Sequence, residues 1–331
     1  MSPPLRVGLV GAGFVTQHHL AGWARLADRA RVVAIADPDP KAAAARADAF
    51  GIAQTFSSAA QMFEEASLDA VDVAAPREFH ADVVRLAAAR GWPVLCQKPL
   101  APTLAEARAL VAQVEGQSRV MVHENWRFRP YYRDLSSELR QGRIGEVVQA
   151  QMTLLSSGLL PDERGERPAL VRQPFIAGLD RALVMEFLVH HLDTLRYLLG
   201  ELTVRHARLG HGSPAMRGED RAFLALETTD GAPGSLLSNL AVHGQPAGLV
   251  DRLIVIGTRG TLSLEGDTLR CFGAEAFERT YDMAACYGQS YAAAIGHFVE
   301  CLRTGAAFET GPEDNLRTLE LVEAAYATGG A

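Results

Sequence analysis

The first third of the chain alternates short apolar runs with Ala-rich stretches of helical spacing. Strand-like runs lie at 5–10, 32–36, 70–75, 93–96 and 120–122. Between the last two, a helix is predicted over 103–115, with Thr103 as its N-cap and Glu106 completing a capping box. Regular alternation of strands and helices predicts an α/β domain with a parallel, doubly wound Rossmann-type sheet.

Near residue 125 the pattern changes. Helices are predicted at 131–141, 182–199, 290–304 and 313–328, and strand-like runs at 147–155, 203–209, 222–228, 235–242, 252–256 and 260–264. Consecutive strands without helices between them predict an α+β domain with a mostly antiparallel sheet. Helix 182–199 would cover one face of this sheet, and the other face would serve as an oligomer interface. We expect a cofactor domain over 1–124 and a substrate and oligomerisation domain over 125–331, whose last helix could pack back on the first.

A glycine turn follows the first strand directly. Gly11 allows the chain to turn tightly, and Gly13 lets backbone N–H groups approach a pyrophosphate at the start of the next helix. Phe14 and Val15 complete the turn. Asp37, at the end of the second strand, can accept hydrogen bonds from an adenosine ribose. These residues predict a dinucleotide site.

The same acid bears on the choice of cofactor. A 2′-phosphate beside Asp37 would meet like charge, and the next three positions hold no arginine, so NAD is favoured over NADP. Lys41 weakens this preference. The alternative is that Asp37 only starts the turn 37–40. Thr16 replaces the third glycine of the motif, so helix and strand would pack further apart.

Composition narrows the function classes. A formal net charge of −7 argues against a general nucleic-acid binder. No apolar run approaches the roughly 20 residues of a membrane span, so no membrane partner and a cytoplasmic location are expected. The four cysteines, which form no CxxC pair, are expected to be free thiols, and no metal site is predicted.

Lys98 follows the strand at 93–96, where a doubly wound sheet places its ligands. Beside an oxidised nicotinamide its ammonium would exchange a proton more readily, because of like charge and partial desolvation. The alternative is a solvated loop charge.

A second cluster lies on the predicted helix 182–199. Glu186 and His190 stand at i and i+4, and Asp193 follows three residues later, so all three can share a face. The carboxylate of Glu186 can fix the tautomer of His190, which suits the imidazole to proton transfer. The alternatives are a polar stripe on a surface helix, which the flanking leucines disfavour, and a metal site, for which no third ligand is evident.

Together these segments resemble the glucose-fructose oxidoreductase and inositol dehydrogenase family, usually called Gfo/Idh/MocA. The resemblance spans nearly the whole chain. It rests on matches to GxGxxGxxH at 11–19, TPxxxH at 75–80, EKP at 97–99, RFxP at 127–130 and DxGxHxxD at 186–193, and on Arg172 ahead of a glycine.

The resemblance implies NAD(P)-dependent oxidation of a secondary hydroxyl on a sugar, cyclitol, polyol or sugar acid, or the reverse reduction. It implies that His190 is the acid/base, that Glu186 orients it, and that Lys98 bonds the reacting hydroxyl and the cofactor ribose. Which of Lys98 and His190 takes the proton directly stays open. Further implied contacts are Pro76, His80 and Gln97 for the cofactor and Arg127, Arg172 and Asp193 for the substrate. A homodimer or homotetramer through the second sheet is also implied.

Three departures from the family pattern surround one predicted pocket. Gln97 replaces glutamate and removes a negative charge beside Lys98, Glu186 replaces aspartate, and Leu188 replaces glycine. They suggest an unusual substrate shape or lost catalysis. Two alternatives therefore remain open: an NAD-dependent lyase, hydrolase or epimerase that borrows and returns a hydride, and a non-catalytic NAD-binding sensor. Retention of Lys98 and His190 argues against the sensor.

Overall fold

The computed structural model describes residues 3–273 and 275–329, which form two compact units. The first unit runs through Arg129 and also contains Ala284–Arg317. The second comprises Pro130–Met283 and the described residues from Thr318 onward. The division at residue 124 into a cofactor domain and a substrate domain stays a prediction.

The described residues form strands and helices with the following bounds. The strands are β1 Leu5–Val10, β2 Ala30–Ala36, β3 Gln54–Phe56, β4 Ala70–Val73, β5 Val94–Gln97, β6 Val120–His123, β7 Val147–Leu155, β8 Leu202–Gly210, β9 Arg221–Thr228, β10 Pro233–Asn239, β11 Val250–Gly257, β12 Gly260–Glu265, β13 Thr268–Gly273 and β14 Phe277–Thr280. The α-helices are α1 Thr16–Ala24, α2 Pro40–Phe50, α3 Ala59–Glu65, α4 His80–Ala88, α5 Leu104–Val114, α6 Pro130–Arg140, α7 Pro168–Arg172, α8 Val189–Leu199, α9 Met283–Thr304 and α10 Pro312–Thr328. Within these ranges, no helix is both long and apolar enough to cross a membrane.

The first unit contains a parallel sheet in the order β3-β2-β1-β4-β5-β6. Strand order reverses between β1 and β4, so a ligand site is expected beyond the carboxyl ends of these two strands. The predicted doubly wound parallel sheet is confirmed. The apolar pattern does not predict β3, because this strand has three residues and two of them are exposed.

The helix ends of the first unit follow local capping chemistry. The Thr103 hydroxyl accepts a hydrogen bond from the N–H of Glu106 at 3.2 Å and caps α5, as predicted. The Glu106 carboxylate, however, accepts from the Thr103 hydroxyl at 2.8 Å rather than from its backbone. Helix α9 begins at Met283, earlier than predicted, and buries Ile295 and Phe298 in the core of this unit.

The second unit contains a sheet in the order β14-β13-β12-β11-β7-β10-β9-β8. Among the strands of this sheet that the structure describes, only β7 and β10 pair in parallel, so the predicted mostly antiparallel sheet is confirmed. The apolar pattern does not predict β13 and β14, because Arg270, Glu278 and Arg279 interrupt the alternation.

One face of this second sheet is its core. A row of residues in register across six strands is fully buried: Leu224, Leu236, Met152, Leu253, Leu264 and Leu269. On the same face, Leu195 and Leu199 of α8 lie with Ala150 and Leu226 around a small cavity. Helix α8 therefore covers this face, as predicted for the segment 182–199.

Candidate active site

The glycine turn between β1 and α1 has two different glycines. Gly11 has a φ of +105°, and a Cβ there would lie 2.6 Å from the carbonyl oxygen of Ala74, so the fold itself requires glycine. A Cβ on Gly13 would meet no atom within 4 Å. Gly13 thus borders open space, and Phe14 beside it is 46% exposed. The turn therefore leaves room for a pyrophosphate at the start of α1.

Thr16 takes the third glycine position and closes the turn. Its side chain is fully buried, and its hydroxyl donates to the carbonyl oxygen of Gly11 at 3.0 Å. The threonine therefore stabilises the conformation that Gly11 allows. Val15 precedes it as the N-cap residue of α1, and its side chain makes no capping bond.

Asp37 lies beside this turn. Its Oδ2 accepts a hydrogen bond from the N–H of Ala12 at 2.7 Å, and its Oδ1 accepts from the N–H of Asp39 at 2.8 Å. The contact with Asp39 is the one expected if Asp37 only starts the turn 37–40. The contact with Ala12 joins the acid to the glycine turn. Each carboxylate oxygen retains a further lone pair that can accept from a ribose hydroxyl.

Arg46, on α2, was not predicted as part of this site. Its guanidinium donates to the carbonyl oxygens of Gly13 at 3.0 Å and Ala12 at 3.4 Å. Since both carbonyls face Arg46, the turn is held from the side of α2. Helical spacing alone gives no signal for this contact, because it spans more than 30 residues.

His80 connects the loops after β4 and β5. Its Nδ1 lies 2.8 Å from the carbonyl oxygen of Pro99, and its Nε2 lies 2.9 Å from that of Ala75. Burial lowers the pKa of His80, although both carbonyls favour the protonated form. Pro76, next to Ala75, begins the short 3₁₀ turn that leads into α4. The predicted cofactor contacts Pro76 and His80 thus both follow the carboxyl end of β4, and His80 also contacts the loop after β5.

Gln97 is the last residue of β5, and Lys98 follows it directly. The side-chain Oε1 of Gln97 accepts from the backbone N–H of Lys98 at 2.7 Å, so the amide is tied to the lysine peptide. Gln97 is buried and Lys98 is half-buried. The backbone of Lys98 is therefore held in place at the carboxyl end of β5, where a ligand is predicted to bind, and its side chain extends from this fixed position.

Arg127 has protein partners in the first unit. Its guanidinium donates to the carboxylate of Asp314 at 2.8 Å and to the carbonyl oxygen of Glu309 at 3.2 Å, and its side chain is buried. These contacts join the segment after β6 to the region of α10. The substrate contact implied for Arg127 stays a prediction.

In the second unit, the segment 182–199 is helical as predicted, but its first part is not an α-helix. Residues Leu183–Leu188 form a π-helix, and α8 begins only at Val189. A carboxylate from outside the segment binds its start: Glu219 accepts from the N–H of Val184 at 3.0 Å and of Ala182 at 3.3 Å. A buried carboxylate at a helix N-terminus is stabilised by the exposed N–H groups there.

Tyr326 supports this arrangement. Its hydroxyl donates to Glu219 and lies 3.3 Å from the N–H of Met185. Burial, followed by the charge of Glu219, raises the pKa of Tyr326, so the hydroxyl stays protonated. Sequence analysis missed Glu219, because no local pattern links it to the segment that it caps.

Glu186 lies in the π-helix, whereas His190 lies in α8. Because a π-helix closes i→i+5 hydrogen bonds, the i, i+4 geometry of an α-helix does not apply from Glu186 to His190. Their pairing stays a prediction. Asp193 is buried, and its Oδ1 accepts from the Thr318 hydroxyl at 3.3 Å.

His191 anchors the helix that carries His190. Its Nε2 lies 2.9 Å from the carboxylate of Asp251 on β11, whose other oxygen accepts from the Tyr132 hydroxyl at 2.8 Å. All three side chains are buried. They fix the rotation of α8, and hence the direction of its neighbour His190. Sequence analysis missed Asp251 and Tyr132, although an acid within an apolar strand is a signal for a buried partner.

A cavity of about 200 Å³ lies beside the π-helix within the second unit. Phe187 and Leu249 belong to its mainly apolar lining, and Ser156, Arg172 and Gln173 are its polar and charged members. The structure thus places Arg172, a predicted substrate contact, at a cavity next to the segment of Glu186. This volume is below the range of pockets for drug-sized ligands, so a small ligand fits best.

The cysteines contribute no obvious chemistry. All four are free and buried, and burial raises the pKa of Cys96. Across residues 3–273 and 275–329, no group of three or more His, Cys, Asp or Glu side chains is placed to hold a metal ion.

The six-stranded parallel sheet, its glycine turn and the adjoining acid define a dinucleotide-binding, Rossmann-type fold. Family models match both parts of the chain: the NAD-binding Rossmann fold of an oxidoreductase family over residues 5–125, and the C-terminal alpha/beta domain of that family over residues 137–328. The chain belongs to the Gfo/Idh/MocA oxidoreductase family. The predicted family, enzyme class and NAD cofactor are confirmed.

Characterised relatives cover nearly the whole chain. It is 34% identical to D-apiose dehydrogenase of Paraburkholderia graminis, over 96% of this chain and 86% of that protein. It is 28% identical to inositol 2-dehydrogenase of Rhizobium meliloti, over 97% of this chain and 96% of that protein. An oxidoreductase structure from Agrobacterium radiobacter, in complex with NAD⁺, L-tartaric acid and magnesium, superposes with a TM-score of 0.90 at 29% identity, covering 98% of this chain and 96% of that one.

Proposed function

We propose that this protein is an NAD-dependent dehydrogenase that oxidises a secondary hydroxyl of a sugar, cyclitol, polyol or sugar acid, or reduces the corresponding ketone. The observation that carries the proposal is the match to D-apiose dehydrogenase, which extends over 96% of the chain. The contact between Asp37 and Ala12 supports the choice of NAD, because it holds a carboxylate where a 2′-phosphate would be repelled.

The residues fit the cofactor that the family implies. Open space beside Gly13 and the N–H groups at the start of α1 suit a pyrophosphate, and Asp37 suits an adenosine ribose. Bound NAD would supply the hydride acceptor. Pro76, His80 and Gln97 would border the nicotinamide end, since they lie at the carboxyl ends of β4 and β5.

Proton transfer is assigned to Lys98 and His190. His190 acts as acid and base, and Glu186 orients its imidazole and stabilises the imidazolium. Lys98 donates a hydrogen bond to the reacting hydroxyl and relays the proton. The burial of His190 supports this role, because a dry site strengthens electrostatic interactions with a developing charge.

The substrate is small and carries several hydroxyl groups or a carboxylate. Support comes from the 200 Å³ cavity, where Arg172 offers a guanidinium suited to a carboxylate and Ser156 offers a hydroxyl. The solved relative from Agrobacterium radiobacter holds L-tartaric acid, a small dihydroxy diacid. Sugar acids therefore belong in the substrate panel beside neutral sugars.

The decisive experiment follows nicotinamide absorbance with purified protein and NAD, then NADP, across cyclitols, aldoses, polyols and sugar acids. Reduction of NAD that is lost in His190→Ala supports the proposal and names the substrate class. If product forms from a substrate without net NADH, the borrowed-hydride alternative replaces it. If no substrate of the panel is turned over while NAD binding is intact, the proposal is contradicted and the sensor alternative is favoured.

The assembly that we propose is a homodimer or homotetramer through the eight-stranded sheet, with a cytoplasmic location. The face opposite α8 exposes apolar side chains on neighbouring strands, including Phe223, Leu237 and Ile254. Phe223 and Leu237 pair directly across β9 and β10. Light scattering should give an oligomer for the wild type and a smaller species for Ile254→Lys, whereas Glu115→Lys on the first unit should leave the mass unchanged. A wild-type monomer contradicts this assembly.

A further inference from the structure

A chain of hydrogen bonds in the first unit begins at a buried carboxylate, Asp72, in the middle of β4. Its oxygens accept from the indole N–H of Trp23 at 2.7 Å and from Nδ1 of His19 at 2.9 Å. All three side chains are buried. An ionised carboxylate can only accept hydrogen bonds. Nδ1 of His19 must therefore donate to Asp72, and so it carries a proton.

The chain continues from His19 to Gln97. The Oε1 atom of Gln97 accepts from the backbone N–H of Lys98 at 2.7 Å, which fixes the orientation of the amide. Its NH₂ group therefore faces Nε2 of His19, at 3.1 Å. Because the NH₂ group can only donate, Nε2 must accept. His19 is thus a neutral imidazole with its proton on Nδ1.

The surroundings of His19 hold it in place. The ring is fully buried, with its centroid 4.2 Å from that of His123 on β6 and 5.5 Å from that of Tyr291 on α9. The titratable groups that face it within the described part of the chain include Asp72, His123 and Tyr291. Of the three, Asp72 makes the hydrogen bond that selects the tautomer.

We propose that His19 is a positioning residue: locked by Asp72 in its neutral form, it orients the Gln97 amide and thereby holds the backbone of Lys98 at the end of β5. Its effect on turnover rests on the proposed function, because that function assigns proton transfer to Lys98. A protonated His19 would place two donors against each other. The amide would then have to turn and present its NH₂ group to the N–H of Lys98.

This geometry explains how an amide can stand at position 97. In Gln97→Glu, one carboxylate oxygen would still accept from Lys98, and the other would accept from His19 once Nε2 gained a proton. The three side chains at positions 19, 72 and 97 carry one net negative charge in either case. A neutral His19 thus compensates for the absence of a negative charge at position 97. The electrostatic potential at Lys98 therefore differs less between Gln97 and Glu at this position than the loss of one charge suggests.

The first test uses NAD-free protein labelled with ¹⁵N at histidine. In the wild type, His19 should show a protonated Nδ1 and a pyridine-like Nε2, assigned by the loss of these signals in His19→Gln. In Gln97→Glu, both ring nitrogens of His19 should be protonated at the same pH. A wild-type imidazolium, a proton on Nε2, or an unchanged spectrum in Gln97→Glu would overturn the proposal.

The second test uses matched variants in turnover. Asparagine at position 19 can donate to Asp72 but is too short for Gln97, whereas glutamine can reach Gln97. His19→Asn should lower kcat about tenfold or more, since small displacements of reacting groups are costly, with the Kd for NAD nearly unchanged. The Tm should fall as well, because the buried Gln97 amide loses its acceptor. His19→Gln should retain about a third or more of kcat, whereas Gln97→Ala should lose as much as His19→Asn.

Equal kcat in the wild type, His19→Asn and Gln97→Ala would refute the positioning role. Gln97→Ala gives the same answer if His19→Asn does not fold. Absence of turnover in the wild type would count against the proposed function alone, because the labelled spectra still decide the tautomer and the coupling of positions 19 and 97.

Discussion

The Asp37 carboxylate accepts a hydrogen bond from the backbone N–H of Ala12 at 2.7 Å. This contact joins the end of β2 to the glycine turn after β1. The acid proposed to bind the ribose is therefore held by the loop proposed to bind the pyrophosphate. Loss of the carboxylate should disturb both.

Replacement of Asp37 by alanine should weaken NAD binding by roughly tenfold to a hundredfold, because charge-assisted hydrogen bonds contribute about 1.5–3 kcal/mol each. The preference for NAD over NADP should also fall, since the like charge is gone. Isothermal titration calorimetry with both cofactors measures this directly. The matched control is Asp39→Ala, which removes the N-cap of α2 and should cost about 1 kcal/mol of stability at unchanged NAD affinity. Equal affinity of Asp37→Ala and wild type for NAD would refute the assignment.

His80 should make stability depend on pH. Burial lowers its pKa in the folded protein below the usual 6.5, so the unfolded chain binds more protons between these two values. Its contribution is complete above about pH 6.5 and is lost as the pH falls through the folded pKa. Urea unfolding from pH 8 to pH 5 should show a steeper loss for the wild type than for His80→Asn. Parallel curves for the two proteins would show that His80 does not titrate in this way.

Glu219 should govern the π-helix that carries Glu186. Glu219→Ala leaves two buried N–H groups, of Ala182 and Val184, without their partner, and should cost about 1–3 kcal/mol of unfolding free energy. Glu219→Gln keeps an acceptor oxygen and should cost less. Urea unfolding gives both values, and kcat should fall in the same order because His190 follows the same segment. If kcat is unchanged in Glu219→Ala, the contacts of Glu219 with the π-helix do not affect catalysis.

The cofactor half was predictable because its signals are local. An apolar run, a glycine turn and an acid at the end of the next run lie within 37 residues and fold against each other. Gly11 illustrates this, since its positive φ and its close approach to Ala74 are what the motif demands. Thr16 fits the same turn by a hydrogen bond that the motif does not contain.

Contacts between distant residues were not predictable in this way. Glu219 caps a segment that begins 37 residues before it, and Asp251 binds His191 across 60 residues. Such partners are chosen by tertiary packing, which helical periodicity does not encode. The π-helix at Leu183–Leu188 is likewise not encoded in the periodicity of the segment, which predicts an α-helix there.

We propose that Lys98 and His190 move the proton, whereas most of the affinity for NAD comes from other residues. The most direct measurement compares kcat and the Kd for NAD in Lys98→Ala, His190→Ala and wild type, on the substrate found in the panel. Turnover should be abolished in both variants, while the Kd for NAD stays nearly unchanged. Wild-type turnover in either variant would contradict it.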